Sequence, residues 1–73
     1  MKANAIELLR QTIKVEDGTS VGFHTTDGYI RVNEGKDETW AVLEHANVVI
    51  IDFKDVKYYV DTDTIYKIEI LKF

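Results

Sequence analysis

The chain has 73 residues with no cysteine and no proline, and its 9 basic and 13 acidic side chains give a net charge of −4. This length allows one domain over 1–73, and the lack of cysteine excludes disulfides and thiolate metal sites. Hydrophobic residues make up 45% of the chain, and valine, isoleucine and threonine together number 23, so we expect a folded chain rich in strands.

The sequence predicts a cytoplasmic protein without a membrane partner. Its longest uninterrupted apolar run, 48–51, is far shorter than the roughly 20 residues that cross a bilayer. Glu7 and Arg10 interrupt the N-terminal segment, so it lacks the apolar centre of a secretory signal. The acidic balance, with no block of lysine or arginine, argues against nucleic acid as a partner because phosphate needs a cationic surface.

The first predicted element is a helix at about 4–14. Asn4 and Glu7 have the spacing of a capping box, and apolar residues then recur at helical spacing, namely Ile6, Leu9 and Ile13. The segment 16–18, Glu-Asp-Gly, should end the helix. A helix of this length is marginal alone, so its apolar stripe should dock on the rest of the fold.

A β-hairpin comes next, because the dipeptide 27–28, Asp-Gly, separates two alternating segments. With that dipeptide as the loop, Phe23 lies opposite Val32, and His24 lies opposite Arg31. The residues predicted on the core face are Val21, Phe23, Ile30 and Val32. The other face, which includes Tyr29, is expected to be solvated or shared with a partner.

Four further strands are predicted at about 39–45, 48–53, 56–60 and 64–71, after a charged connector at 34–38. The strand at 48–53 is apolar on both faces, as a central strand covered on each side would be, so Ile50 joins Phe23 as an expected core residue. In the last strand Tyr66 is expected on the same face as Ile68 and Ile70. Turns are predicted at 46–47 and 61–63.

These elements predict an α+β fold in which a short N-terminal helix packs on a five- to six-stranded antiparallel sheet at about 20–71. The same order of elements matches the layout of Sm-like and SH3-like folds, so a helix with a closed small β-barrel is the alternative. The Sm family's loop with Asp and Asn and its Arg-Gly motif are absent from this sequence, and no family is assigned.

The polar residues form no recognisable catalytic, cofactor or metal pattern. Ser20, the only serine, lacks a surrounding Gly-x-Ser-x-Gly, and the four glycines are dispersed instead of forming a phosphate loop. His24 and His45 fall on different predicted strands without metal-ligand spacing. The sequence therefore predicts no enzyme, no cofactor and no metal. An enzyme assembled at a subunit interface, with these two histidines as its best residues, is the catalytic alternative.

The predicted apolar surface exceeds what one short helix can cover. This favours a non-catalytic protein–protein interaction or regulatory module that self-associates or binds another protein. A small inhibitor of a larger host protein, of viral or mobile-element origin, is one form of this hypothesis. The alternative is a small β-barrel that binds a small ligand or nucleic acid through a strand face. The candidate interface or ligand residues are His24, Tyr29, Arg31, Trp40, Tyr58 and Tyr59.

Overall fold

The computed structural model describes residues 1–13, 19–35 and 37–72. Its elements are α1 (Ala3–Thr12), β1 (Thr19–Thr25), β2 (Gly28–Asn33), β3 (Glu38–Leu43), the 3-10 helix η1 (Glu44–Ala46), β4 (Val48–Phe53), β5 (Lys57–Asp61), the 3-10 helix η2 (Thr62–Thr64) and β6 (Ile65–Lys72). The strands form two antiparallel sheets, a first sheet with the order β2-β1-β6 and a second sheet with the order β3-β4-β5. The predicted α+β class is confirmed, and within the described residues the two sheets do not close into a barrel.

The core lies where α1 and the two sheets meet. Phe23 from β1 and Trp40 from β3 connect the sheets through an edge-to-face contact, with 5.1 Å between ring centroids. The fully or nearly buried core side chains are Ile6, Val21, Phe23, Val32, Trp40, Val49, Ile51 and Ile65. Their distribution shows that one apolar cluster stabilises all three layers.

The central strand β4 is covered on one face only. Its bounds are as predicted, and Val49 and Ile51 are fully buried toward the core. Ile50 points to the opposite face and is only partly buried, and its cross-strand neighbours Ala41 and Tyr59 are exposed. The expectation that Ile50 is a core residue is therefore wrong for the single chain.

Helix α1 begins earlier than predicted and without a capping box. Its N-cap is Lys2, which makes no side-chain capping bond, and Asn4 lies inside the helix. The N-terminal amine of Met1 instead donates to the carbonyls of Thr62 at 2.8 Å and Ile65 at 2.6 Å. These tertiary bonds hold the start of the helix against η2 and β6. The residues predicted to end the helix, 16–18, lie outside the described residues.

The β1–β2 hairpin has its turn one residue earlier than predicted. Thr25 pairs with Gly28, so the two-residue loop is 26–27. Gly28 has φ +142°, a conformation that side chains rarely adopt, which favours glycine at this position. The Thr25 hydroxyl accepts a bond from the Asp27 N–H at 3.1 Å and donates to the Gly28 carbonyl at 2.8 Å. These bonds close the turn in this register.

The cross-strand partners predicted for the hairpin are consequently wrong, although the predicted faces are right. The observed pairs include Val21 with Val32, Gly22 with Arg31, Phe23 with Ile30, and His24 with Tyr29. The predicted and observed registers differ by two residues, and such a shift keeps each side chain on its face because strands alternate with a period of two. The core face of the hairpin is therefore predicted correctly although its cross-strand pairs are not.

The end of β3 and the face of Tyr66 also differ from the predictions. Strand β3 ends at Leu43, two residues before the predicted end, and η1 leads into a turn at Asn47 with φ 54°. A register shift between β1 and β6 at His24 and Thr25 places Tyr66 beside the His24 ring rather than on the face of Ile68. A β-bulge breaks the alternation on which the prediction of the Tyr66 face depended.

Glu34, predicted in a charged connector, is buried and joins α1 to both sheets. Its side chain is only 1% exposed, and its Oε1 accepts a bond from Trp40 Nε1 at 2.6 Å. Arg10 of α1 lies 3.8 Å from the same oxygen, and its Nε donates to the Trp40 carbonyl at 3.2 Å. The guanidinium carbon also lies 4.8 Å from the centroid of the Trp40 ring. Glu34, Trp40 and Arg10 form the buried carboxylate cluster.

Candidate functional site

The first candidate surface is a group of aromatic rings on the outer face of the first sheet. The ring centroids of His24 and Tyr29 are 4.6 Å apart, and those of His24 and Tyr66 are 6.1 Å apart. We call these three residues the ring cluster. Glu69 and Lys67, on β6, flank it: His24 Nε2 hydrogen-bonds to Glu69 Oε1, and Lys67 Nζ lies 3.8 Å from that oxygen.

The position of the Tyr29 ring depends on a glycine in the neighbouring strand. A Cβ atom at Gly22 would lie 2.3 Å from Tyr29 Oη and 2.8 Å from Cε1. The ring therefore lies across the backbone of β1 at this point, in space that any other residue would occupy. Gly22 thus allows Tyr29 to reach over β1 in the same region as His24.

The hydrogen bond from His24 lowers the pKa of the Glu69 carboxyl below its ordinary value of 4.5, against an opposing effect of desolvation. The nearby Lys67 ammonium lowers this pKa further. Glu69 is therefore an ionised acceptor at neutral pH, and His24 Nε2 is the donor in their bond. This arrangement holds the imidazole in place beside the two tyrosines.

Ser20, on the same face of β1, has a structural rather than a nucleophilic arrangement. It is fully buried, and its hydroxyl donates to Asn33 Oδ1 at 2.6 Å. Arg31 Nη2 donates to Ser20 Oγ at 3.4 Å. The hydroxyl is thus enclosed by side chains of β2.

The six candidate residues from the sequence fall in three places. His24, Tyr29 and Arg31 share the outer face of the first sheet. Trp40 is 3% exposed and belongs to the core, so it does not take part in that surface. Tyr58 and Tyr59 lie on β5 in the second sheet. Tyr66 and Glu69 could not be identified as site residues from the sequence, because the bulge inverts the expected face of Tyr66 and no sequence pattern pairs Glu69 with His24.

The second candidate surface is the free edge of β5 together with the adjoining outer face of the second sheet. Among the described strands, β5 pairs with β4 alone. Tyr59 is 67% exposed, and Tyr58 and Val56 are about half exposed. On the outer face Tyr59 lies next to the partly buried Ile50. This strand therefore presents aromatic side chains at an edge with no partner strand.

The bonding pattern shows which backbone groups of β5 face that edge. At one end of the β4–β5 ladder, Phe53 and Val56 exchange both backbone bonds, at 2.8 and 3.3 Å. At the other end, the Thr62 N–H donates to the Asn47 carbonyl at 2.9 Å. Bonded and non-bonded pairs alternate in antiparallel ladders, so every second residue of β5 turns its N–H and C=O groups away from β4. Those residues are Lys57, Tyr59 and Asp61.

The surface also has shallow grooves at both ends of β5. One of 370 Å³ is lined by Asp37, Glu38, Phe53, Lys54, Asp55, Val56 and Tyr58. Another of 260 Å³ is lined by Thr25, Asp27, Ile30, Tyr59, Val60, Asp61 and Thr64. Among the described residues, no histidine lines either of these two grooves, whereas His45 lines a third groove of 310 Å³ together with Glu7 and Gln11 of α1. His45 is exposed on η1, which is not part of either sheet.

The part of the chain that the structure describes holds neither a metal-ligand cluster nor a membrane-spanning helix. No three histidine, aspartate or glutamate side chains are grouped so that they could hold a metal ion. No described helix has the length and apolar character needed to span a membrane.

No protein-family model matches this sequence, and neither a curated protein nor a solved structure matches the chain.

Proposed function

We propose that this chain is a non-catalytic protein-interaction module that associates with itself through the second sheet. The observation that carries the proposal is the free edge of β5, where Lys57, Tyr59 and Asp61 direct backbone groups away from the sheet. Unpaired edges are templates for another strand, and natural proteins normally shield them with bulges, prolines or charged side chains, lysine especially. The observed register of β5 shows no bulge, and its sequence has no proline. Its one lysine, Lys57, is the first residue of the strand and lies 3.7 Å from Asp52 Oδ2, so the aromatic centre of the edge has no such shield.

The side chains around this edge support the same function. Tyr59, Ile50 and Leu43 give the outer face of the second sheet an apolar character, and all three are exposed or partly exposed. Charged residues lie at the two ends of β5: Lys57 Nζ is 3.7 Å from Asp52 Oδ2 at one end, and Asp61 pairs with Val48 at the other. Apolar and aromatic centres with charged margins are typical of protein–protein interfaces.

Sedimentation equilibrium over a concentration series tests the proposal. We expect reversible oligomers of the wild-type chain, loss of oligomers in Tyr59→Lys, and their retention in Tyr66→Lys. The second variant is a matched control, because Tyr66 is 64% exposed and lies on the other sheet. A wild-type chain that stays monomeric up to about 1 mM, where an association free energy near −4 kcal/mol is detectable, would contradict the proposal.

The ring cluster supports a second candidate function, which is binding of a small aromatic ligand or of single-stranded nucleic acid. His24, Tyr29 and Tyr66 provide stacking surfaces, and Arg31 and Lys67 lie on the same face of the first sheet. Bases stack on such rings irrespective of sequence. The net charge of −4 opposes this function, so it ranks second.

Fluorescence anisotropy with a labelled single-stranded oligonucleotide tests this second candidate. Binding that falls with added salt and is lost in Tyr66→Ala, but is kept in Tyr59→Ala, would support it. Equal binding by the two variants would assign the contact to another surface, and no binding by the wild-type chain would remove nucleic acid from consideration.

A further inference from the structure

We propose that two copies of this chain pair through their β5 strands, antiparallel, with Tyr59 of each copy at the two-fold axis. The inference rests on the proposed self-association through the second sheet and specifies its geometry. The pairing would join two three-stranded sheets into one continuous six-stranded sheet. Its partner is therefore a second copy of the same strand.

The backbone of β5 suits this register. A two-fold axis at Tyr59 places each Tyr59 opposite the other and each Lys57 opposite the other copy's Asp61. These are the three residues whose N–H and C=O groups face the open edge, so each pair can exchange both backbone bonds. If the two strands were shifted by one residue, these groups would face Tyr58 or Val60 of the other copy. The backbone groups of Tyr58 and Val60 point toward β4 and could not form these bonds.

The charges of β5 select this register from the others that the backbone allows. With Tyr59 at the axis, Lys57 of each copy faces Asp61 of the other, which gives two opposite-charge pairs. An axis at Lys57 would oppose two lysines, and an axis at Asp61 would oppose two aspartates. The backbone also allows an axis at Tyr58 or at Val60, but these place Tyr59 opposite Lys57 or Asp61 and form no opposite-charge pair within β5. The sequence of β5 is thus complementary to itself about its central residue.

The apolar side chains fit the same arrangement. Tyr58 of each copy would lie opposite Val60 of the other on the inner face of the joined sheet, which buries part of the half-exposed Tyr58 ring. On the outer face, the two Tyr59 rings would extend the apolar row that starts at Ile50. Cross-strand aromatic and aliphatic pairs of this kind stabilise antiparallel ladders.

A groove separates the Asp61 end of the edge from the β1–β2 hairpin. The groove of 260 Å³ lies between Tyr59 and Asp61 on β5 and Thr25 and Asp27 of the β1–β2 hairpin. The hairpin therefore does not pack tightly against the free backbone groups. The Asp61 carbonyl accepts a bond from the Thr64 hydroxyl at 2.7 Å and retains a second lone pair for the other copy.

Disulfide cross-linking of single-cysteine variants tests the register, because the chain has no native cysteine. In the proposed dimer the two Tyr59 Cα atoms are about 5.5 Å apart, within the range that a disulfide spans. Tyr59→Cys should therefore cross-link to itself under mild oxidation. Lys57→Cys should not cross-link to itself, because the two positions 57 would lie four residues apart along the paired strands, a distance of roughly 13 Å.

Mixing Lys57→Cys with Asp61→Cys provides the positive counterpart, since these positions face each other and the mixture should form the heterodimer. A charge exchange gives a second measurement without cysteine. Lys57→Asp should raise the dimer dissociation constant about tenfold through like charges facing Asp61, and adding Asp61→Lys to it should restore much of the affinity.

The outcomes separate this inference from the proposed function. Oligomers in which Lys57→Cys cross-links to itself as readily as Tyr59→Cys would overturn the register and leave self-association standing. A chain that is monomeric at every concentration would overturn both. Cross-linking of Tyr59→Cys and of the mixed pair, with none in Lys57→Cys alone, would establish the proposed pairing.

Discussion

The buried carboxylate cluster allows a stability prediction with a defined magnitude. Replacing Glu34 by alanine removes the acceptor of the Trp40 Nε1–H bond, which is 2.6 Å long and buried. A buried donor left without a partner costs about 1–3 kcal/mol. The change also removes the counter-ion of Arg10, whose side chain is 25% exposed, so solvent limits that loss to at most about 1 kcal/mol.

The expected total for Glu34→Ala is therefore a loss of about 1–4 kcal/mol in the free energy of unfolding. A domain of this length has about 4–11 kcal/mol in all, so the variant should lose a large part of its stability. Glu34→Gln keeps an oxygen acceptor and loses only the charge, so its expected cost is about 1 kcal/mol.

Urea denaturation at concentrations where the protein is monomeric measures these differences. The fluorescence of Trp40, the only tryptophan, reports on the cluster itself, and far-ultraviolet circular dichroism reports on the whole fold. Glu44→Ala is the matched control, because Glu44 is an exposed glutamate on η1. Its change should stay within about 0.5 kcal/mol.

Two results would refute this reasoning. If Glu34→Ala costs no more than Glu44→Ala, the buried bond to Trp40 does not stabilise the fold. If Glu34→Gln costs as much as Glu34→Ala, the charge and not the oxygen acceptor is the stabilising feature.

The remaining predictions concern the core, a buried hydroxyl and pH. Phe23→Ala should cost about 3–5 kcal/mol and the half-covered Ile50→Ala less than about 2 kcal/mol in urea melts of the monomer, and similar costs would contradict the one-sided burial of β4. Thr62→Val should leave stability unchanged or raise it by up to about 1 kcal/mol, because the buried Thr62 hydroxyl has no bonding partner among the described residues; a clear loss in the same melts would reveal one. Glu69 has a lowered pKa in the folded state, chiefly because of its hydrogen bond with His24. Its stabilising contribution is therefore fully present above pH 4.5 and is lost as the pH falls through the folded-state pKa. The stability difference between wild type and Glu69→Gln should therefore shrink on acidification below pH 4.5, and a difference independent of pH would exclude this linkage.

The elements of this fold could be predicted from its sequence because apolar periodicity and β-branched residues are local signals. Strand β4 has its predicted bounds, and α1 lies within the predicted helix except for one residue at its start. The start of α1 could not be predicted from Asn4 and Glu7, because the bonds of the Met1 amine to distant carbonyls decide it. Tertiary contacts override a local capping pattern in this case.

The candidate site was less predictable because it depends on which strands become neighbours. Alternation assigns Trp40 to one face of β3, but only the packing of the two sheets shows that this face is the core. Trp40 likewise becomes the partner of Glu34 because the chain reverses direction between β2 and β3, and no local sequence pattern predicts the geometry of that reversal. The exposed β5 was identified through Tyr58 and Tyr59, whereas its free backbone groups follow from the register with β4.

The pairing of β1 with β6 has a consequence for how this chain folds. Thr19 pairs with Lys72, so the centre of the first sheet joins segments far apart in the sequence, whereas the β1–β2 hairpin and the β3-β4-β5 meander need only local contacts. Closing such a long loop costs chain entropy before its contacts form, which slows folding. During synthesis β1 therefore lacks one of its two neighbours until 65–72 has left the ribosome, and the first sheet can be completed only after that.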